Sequence, residues 1–384
     1  METLSNTSNP VKQETILDKA TLFHGNNMEA LSKLADNSID SVVTDPPYGI
    51  SYLNNTWDIQ VPTIEFWKEV YRVLKPGGHV LSFSSARTYH RMTINIELAG
   101  FEIRDQIMWM YGQGMPKSQN VGKKVDEIQG NERRVVEVKK VYKLQLHTDS
   151  KRTKVPYEVT TGDSEWEGWG TGLKPAHEPI VVARKPFKSS IAKNVLTWST
   201  GGLNIDRCRI AENDIISIDP NIPLGRFPAN IIFDEFSLEI LDEQAEDTFQ
   251  VKNRKKQINP SKFFYCPKPS KKEKEEGLTN EAATIIGRDE GQDKMNVPHK
   301  LRTTPRKNTH TTVKPVALMR YLIELYTPEG GITLDPFFGS GSSGKSIAQS
   351  KDYKFIGIEK EKDYFDYAVE RCQYEFDKRK KIAA

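Results

Sequence analysis

The chain has 384 residues, 37% of them hydrophobic and 9% aromatic, enough for a large core and more than one folding unit. No run approaches the ~20 consecutive apolar residues of a membrane span, and the polar opening METLSNTSNP lacks a signal-peptide core, so no membrane association and a cytoplasmic location are expected. A net charge of +3 does not by itself mark a nucleic-acid binder, and three widely spaced cysteines, Cys208, Cys266 and Cys372, argue against disulfides and a paired-cysteine zinc site.

Residues 1–16 read as a disordered lead. A short strand over 21–24 ends at Gly25 and Asn26, and 28–34 have helical spacing broken by Asp36 and Asn37. Residues 38–44 have a buried-strand pattern, and Asp45, Pro46, Pro47 and Tyr48 follow directly. Paired prolines cannot continue a strand, so these four residues sit on a stiff loop at its carboxyl end, the edge where open α/β sheets bind ligands. Residues 49–60, with Trp57, form a polar loop of the kind that carries function. An amphipathic helix over 66–74 stops at Lys75, Pro76, Gly77 and Gly78; a strand over 79–84 and a helix over 87–98 follow. This alternation predicts a parallel sheet wrapped by helices.

After Gly100 the rhythm changes. Residues 102–111 read as a strand whose antiparallel partner is 178–184, with a polar, charged insertion between them. From Pro186 to Lys307 the alternation is lost, and short apolar runs at 229–233 and 262–266 lie among Pro, Gly, Asn and Lys. Residues 250–310 carry 15 Lys and Arg against 7 Asp and Glu, so the remainder of the chain is acidic. That asymmetry suggests a phosphate-facing segment with Lys252, Arg254, Lys255 and Lys256 as contacts; a solvated, Lys-rich loop is the plain alternative. The α/β pattern then returns. TVKP at 312–315 precedes a helix over 316–326, and a strand over 332–335 runs into PFFGSGSSG. A last strand over 354–358 ends at Glu359, eighteen residues beyond Gly341.

The DPPY of Asp45 to Tyr48 resembles the catalytic motif of the DNA amino-methyltransferases. Phe337, Gly339 and Gly341 resemble the S-adenosylmethionine loop of methyltransferases, whose glycines admit backbone amides to the bound amino acid. Glu359 stands where an acidic residue meets ribose hydroxyls in related folds, and Asp335 precedes the loop. The catalytic half preceding the cofactor half is similar to the beta group, with its circularly permuted motif order. The resemblance covers about residues 17–112, 173–187 and 301–375.

What the resemblance implies is chemically coherent. An adenine amino group is a poor nucleophile because its lone pair is delocalised into the ring. Acceptors on its N–H hydrogens, the Asp45 carboxylate and the Pro46 carbonyl, would push density back onto nitrogen, with Pro46 and Pro47 fixing both positions. Tyr48, with Trp57 as a second candidate, would hold a base flipped from the duplex. No metal is needed. The stretch HTTVKP resembles the family's HPTVKP, with Thr311 in place of a proline, and assigns Lys314 to the cofactor's carboxylate end. Asn26 stands where relatives carry Asp and is assigned to the cofactor's adenine.

The expected fold is therefore a Rossmann-like α/β sheet closed by a β-hairpin. Residues 17–112 form the catalytic half, 113–172 an insertion, 173–187 the hairpin strand, 188–300 the target-recognition region and 301–384 the cofactor half. The insertion is a second candidate for recognition. The expected partner is double-stranded DNA, as in restriction-modification systems; the resemblance is compatible with a homodimer and names no partner nuclease. DPPY favours adenine, and cytosine amino-methylation is the nearest alternative. Two rivals come from other classes. Gly339 to Ser346 match GxxxxGK(S/T), the phosphate loop of nucleotide hydrolases, and a catalytically silent DNA-binding module would explain the basic segment.

Overall fold

The computed structural model describes residues 12–16, 19–51, 56–112, 114, 118–143, 153–210, 225–248, 264, 271–280, 283–288, 301–310, 312–350 and 352–383. They fall into two compact units, the first built from 1–110, 177–280 and 308–384, the second from 111–176 and 281–307.

The first unit opens with β1 (Lys12–Ile16), β2 (Ala20–His24), α1 (Asn27–Ser32), β3 (Ile39–Thr44), α2 (Ile64–Val73), β4 (Leu74–Phe83), α3 (Tyr89–Leu98) and β5 (Glu102–Met110). The second unit follows with α4 (Val121–Gln129), β6 (Arg134–Lys143) and β7 (Thr153–Thr161). The first resumes with β8 (His177–Arg184), α5 (Ile191–Trp198), β9 (Ile231–Phe233) and α6 (Glu235–Thr248). After β10 (Ala283–Arg288) and β11 (Leu301–Arg306) of the second unit, the first closes with α7 (Val316–Tyr326), β12 (Ile332–Asp335), α8 (Ser342–Ala348), β13 (Lys354–Glu359) and α9 (Lys362–Ala383). In the second unit β6 pairs with β7 and β10 with β11, each antiparallel.

One nine-stranded sheet organises the first unit, in the order β1-β2-β13-β12-β3-β4-β8-β5-β9. The strands from β2 to β4 are mutually parallel. Strand β8 runs antiparallel between β4 and β5, which is the closing hairpin expected from residues 102–111 and 178–184. Successive strand residues point to opposite faces and enter different cores. Val42, Val80 and Val181 pack with Leu31, Trp67 and Met92 on one side, while Val43, Leu81 and Val182 pack with Leu322, Phe355 and Phe365 on the other. Helix α2 starts where the Thr63 hydroxyl accepts the Phe66 N–H at 3.3 Å, and it buries Phe66, Trp67, Val70 and Val73, one stripe at helical spacing.

Three expectations are corrected. Residues 12–16 form a strand rather than part of a disordered lead, pairing with β2 from Lys12 opposite His24 to Ile16 opposite Ala20. Lys75 to Gly78 do not form a turn between helix and strand; β4 begins at Leu74, immediately after α2. Gly77, at φ +83°, lets the chain enter the sheet there, its N–H donating to the Lys185 carbonyl while Lys185 N–H donates to that of Gly78. The run 229–233, read as part of an irregular region, contributes β9 to the main sheet, parallel to β5. Lys252, Arg254, Lys255, Lys256 and Cys266 lie outside the described residues. Among the described residues no helix is long and apolar enough to cross a membrane.

Candidate active site

Strands β3 and β12 are parallel neighbours, with Ser41 opposite Thr333 and Val42 opposite Leu334, so their carboxyl ends deliver two loops to one edge of the sheet. The Thr44 hydroxyl, last in β3, donates to Asp335 Oδ1 at 2.7 Å and ties the two loops together where they begin. Asp45 to Tyr48 leave β3, and Asp58 fixes the far end of this turn. Its buried carboxylate accepts the N–H groups of Tyr48 at 2.6 Å and Gly49 at 2.9 Å. Asp58 therefore shapes the loop of Asp45 to Tyr48, a role its place in a polar stretch did not reveal. Trp57 is half-buried in the short 3-10 turn, Thr56–Asp58, that delivers Asp58.

Around Asp45 the structure assembles four polar side chains from three parts of the sequence. Asp45 Oδ1 accepts the Tyr48 hydroxyl at 2.6 Å, and Asp45 Oδ2 accepts Lys314 Nζ at 2.6 Å. Glu178, on β8, reaches the same cluster: its Oε2 lies 2.9 Å from the Tyr48 hydroxyl and 3.2 Å from Lys314 Nζ. Burial, then the negative charges of Asp45 and Glu178, raise the Tyr48 hydroxyl well above its ordinary pKa, so it stays a phenol. Burial pulls the Lys314 ammonium down, but Asp45 and Glu178 together outweigh it and hold the pKa above the ordinary lysine value. Lys314, assigned by resemblance to the cofactor's carboxylate end, thus has its charge among Asp45, Tyr48 and Glu178. In the sequence Glu178 is marked only as part of a strand; the pairing of β5 with β8, Trp109 opposite Glu178, brings it here.

The second loop is shaped by close packing. Gly339 has φ +53°, and a Cβ there would meet His310 Nε2 at 2.9 Å; Gly341 has φ +89°, and a Cβ would meet the Ala368 Cα at 2.8 Å. Both positions therefore demand glycine. The Gly339 N–H donates to Glu359 Oε2 at 2.7 Å and the Glu361 N–H to Glu359 Oε1 at 2.8 Å. Each oxygen keeps acceptor capacity for a further donor such as a hydroxyl. Burial pushes Glu359 up to about 7 against these hydrogen bonds, and pushes Asp335 up to about 6 against donors from Ser343, Thr44 and the Phe337 N–H. His310 is half-buried, and the loss of hydration there lowers its pKa to about 4, which keeps it neutral.

Phe337 packs on Phe66, ring centroids 5.0 Å apart, and the two line a cleft of about 470 Å³ with Asn27, Met28, Pro62, Thr63 and Glu65. Apolar walls with a carboxylate at the rim suit a flat heteroaromatic ring. Asn26, assigned to that ring by resemblance, caps α1, its Oδ1 accepting the Met28 N–H at 2.8 Å. The helix-dominated walls and Glu65 were not marked by the sequence motifs.

The phosphate-loop rival meets a direct obstacle. Lys345 is completely buried, and its Nζ lies 2.9 Å from Glu276 Oε2 and 3.7 Å from Glu375 Oε2. An ammonium committed to two carboxylates cannot serve a nucleotide phosphate.

Comparison with known proteins gives a consistent result. Residues 39–370 match the DNA methylase family. The chain is 23% identical over 400 residues to the type II methyltransferase M.HindIII of Haemophilus influenzae, covering 92% of this chain and 95% of that protein. It is also 23% identical to the type II methyltransferase M.HpaI of Haemophilus parainfluenzae, over 93% of this chain and 75% of the relative. Among solved structures, the M1.HpyAVI–SAM complex aligns over 92% of this chain and 99% of that one, at 16% identity and a TM-score of 0.40. The cytosine-N4-specific PvuII DNA methyltransferase aligns over 92% of this chain and 86% of that one, at 14% identity and a TM-score of 0.42.

Proposed function

The chain belongs to the DNA methylase family, whose members methylate exocyclic amino groups, and on that premise we propose that it methylates the N6 amino group of adenine at a specific duplex sequence. One observation carries the reading: Asp45 directly follows Thr44, whose hydroxyl is bonded to Asp335 at the head of the glycine loop. An acceptor for the amine thus starts one residue away from the loop suited to the methyl donor, S-adenosylmethionine. In this reading Asp45 and the Pro46 carbonyl orient the amine, Pro47 stiffens the loop, and Tyr48 stacks on the flipped base. Asp335, Phe337, Gly339, Gly341 and Glu359 hold the donor, with the cleft between Phe337 and Phe66 taking its adenine. The donor supplies a methyl group on a positive sulfur, and this chain's residues align the amine with it.

Residues 188–300, with 113–172 as a second candidate, would read the target, and Lys252, Arg254, Lys255 and Lys256 would contact phosphates. A cytoplasmic location follows from DNA as substrate. The test is incubation with methyl-labelled S-adenosylmethionine and a duplex library, followed by digestion to nucleosides. N6-methyladenine is expected. N4-methylcytosine alone would move the target to cytosine, and no labelled nucleoside would overturn the reading.

A further inference from the structure

When an amine nitrogen takes a methyl group, it forms the new bond with its own lone pair, the sulfur keeps the electrons of the bond that breaks, and one N–H proton must leave. Asp45 is placed to take that proton, but a carboxylic acid left in the site would block the next turnover. The question is where the proton goes.

The Tyr48 hydroxyl stands 2.6 Å from Asp45 Oδ1 and 2.9 Å from Glu178 Oε2, and it has a single proton to give. With Asp45 ionised, that proton can serve either carboxylate. Once Asp45 is protonated, only Glu178 can accept it. Lys314 donates to Asp45 Oδ2 at 2.6 Å and to the Tyr48 oxygen at 3.1 Å, and its ammonium lies 3.2 Å from Glu178, so one buried cation holds all three groups in line. Glu178 is the most open to water of the three charged groups: its side chain is 23% exposed, against 17% for Asp45 and 7% for Lys314.

We propose that Glu178 is the proton outlet of the active site, receiving through the Tyr48 hydroxyl the proton that Asp45 takes from the methylated amine. The proposal rests on the amino-methylation reading above. In the relay Tyr48 gives its own proton to Glu178 Oε2 and takes the one on Asp45. Tyr48 ends as a phenol, Asp45 as a carboxylate, and Glu178 as a carboxylic acid that releases its proton to solvent. No electron transfer is involved, and water is the only other participant. Burial and two neighbouring negative charges keep Tyr48 protonated throughout the working pH range, as a relay requires. Glu178 acts through Tyr48 and is a positioning residue as well as the outlet.

Glu178→Gln separates the two roles, because the amide oxygen can still accept from Tyr48 and Lys314 but cannot take up a proton. Calorimetry with S-adenosylmethionine should show affinity within about threefold of the unaltered protein. Steady-state turnover should slow on the order of 100-fold, the usual size of a lost proton-transfer group, because Asp45 must be cleared of its proton before each new round. The solvent deuterium isotope effect on steady-state turnover should rise, since proton removal becomes limiting, and Glu178→Asp should recover part of the rate. An unchanged rate in Glu178→Gln would overturn the relay. So would a slow rate with an unchanged isotope effect, which is what a purely orienting side chain would give. If the unaltered protein labels no DNA base, it is the functional reading that fails; normal labelling by both proteins overturns the relay alone.

Discussion

Two side chains test the site one residue at a time. Asp45→Ala removes the acceptor proposed for the amine but leaves Lys314 its second carboxylate, Glu178, 3.2 Å from Nζ, so the pocket should stay folded. Single-turnover transfer should fall about 100 to 1,000-fold, the range for removing one preorganised electrostatic partner, while calorimetry shows nearly unchanged cofactor affinity. Near-normal transfer by folded Asp45→Ala would remove Asp45 from the chemistry. Lys345 makes the opposite case. The motif around it spells a phosphate loop, yet its ammonium holds Glu276 and Glu375 together beneath α8. Lys345→Ala would leave Glu375, 8% exposed, without its buried cation, and breaking such a pair costs about 3–5 kcal/mol. Because Glu276 is 21% exposed and solvated, the lower end is expected. Urea titration should show that destabilisation, with cofactor affinity of the folded fraction within a few-fold. ATP binding abolished by the substitution would restore the hydrolase reading.

At the scale of elements, what was legible in the sequence follows from burial. Helix α7 and strand β12 fall within the expected bounds because both are largely or wholly buried, and runs such as Ile332–Asp335 admit few alternatives. Strand β9 has three residues, too few for a period, and β4 begins through a Pro-Gly-Gly that ordinarily marks a turn. Glu178 carries no local signal; it meets Tyr48 across 130 residues only because β8 lies between β4 and β5. The ends of β12 and β13 also make a pH prediction. Asp335 and Glu359 rise from 3.8 and 4.5 to about 6 and about 7, both by burial. A carboxyl raised by folding is favoured in its protonated form. Its contribution is complete below the unfolded pKa and is lost as pH rises through the folded one, by up to about 1.4 kcal/mol per unit for each group. In cofactor-free protein Glu359→Gln should therefore flatten the decline in stability between about pH 4.5 and 7. An unchanged decline in the variant would show that Glu359 ionises in the fold as it does in the unfolded chain. Hydroxyl donors from a bound ribose favour the ionised form, so S-adenosylmethionine affinity should rise with pH through about 7, with proton release seen when calorimetry is repeated in buffers of different ionisation enthalpy.

For the whole molecule, the distribution of charge matters more than the net +3. Residues 250–310 hold 15 basic and 7 acidic side chains, and in the described part of this stretch some of the acids turn inward. Glu276 pairs with Lys345 and Lys378, and Glu273 accepts the Val316 N–H at 2.7 Å, at the start of α7. Arg371, buried in α9, donates to the Ser340 and Glu273 carbonyls. Glu276 is thereby paired with lysines from outside the stretch, so one fewer of its acids opposes the basic excess. A polyanion is the natural counterpart of such a field. Replacing Lys252, Arg254, Lys255 and Lys256 together by glutamine should weaken binding to all duplexes alike. The slope of log affinity against log salt should flatten by up to about 0.9 for each phosphate that is no longer neutralised. Preference for the methylated sequence should survive, because phosphate contacts position the protein while base contacts specify. An unchanged salt slope would mean that these four charges face solvent, and that the field guiding DNA to Asp45 comes from elsewhere on the chain.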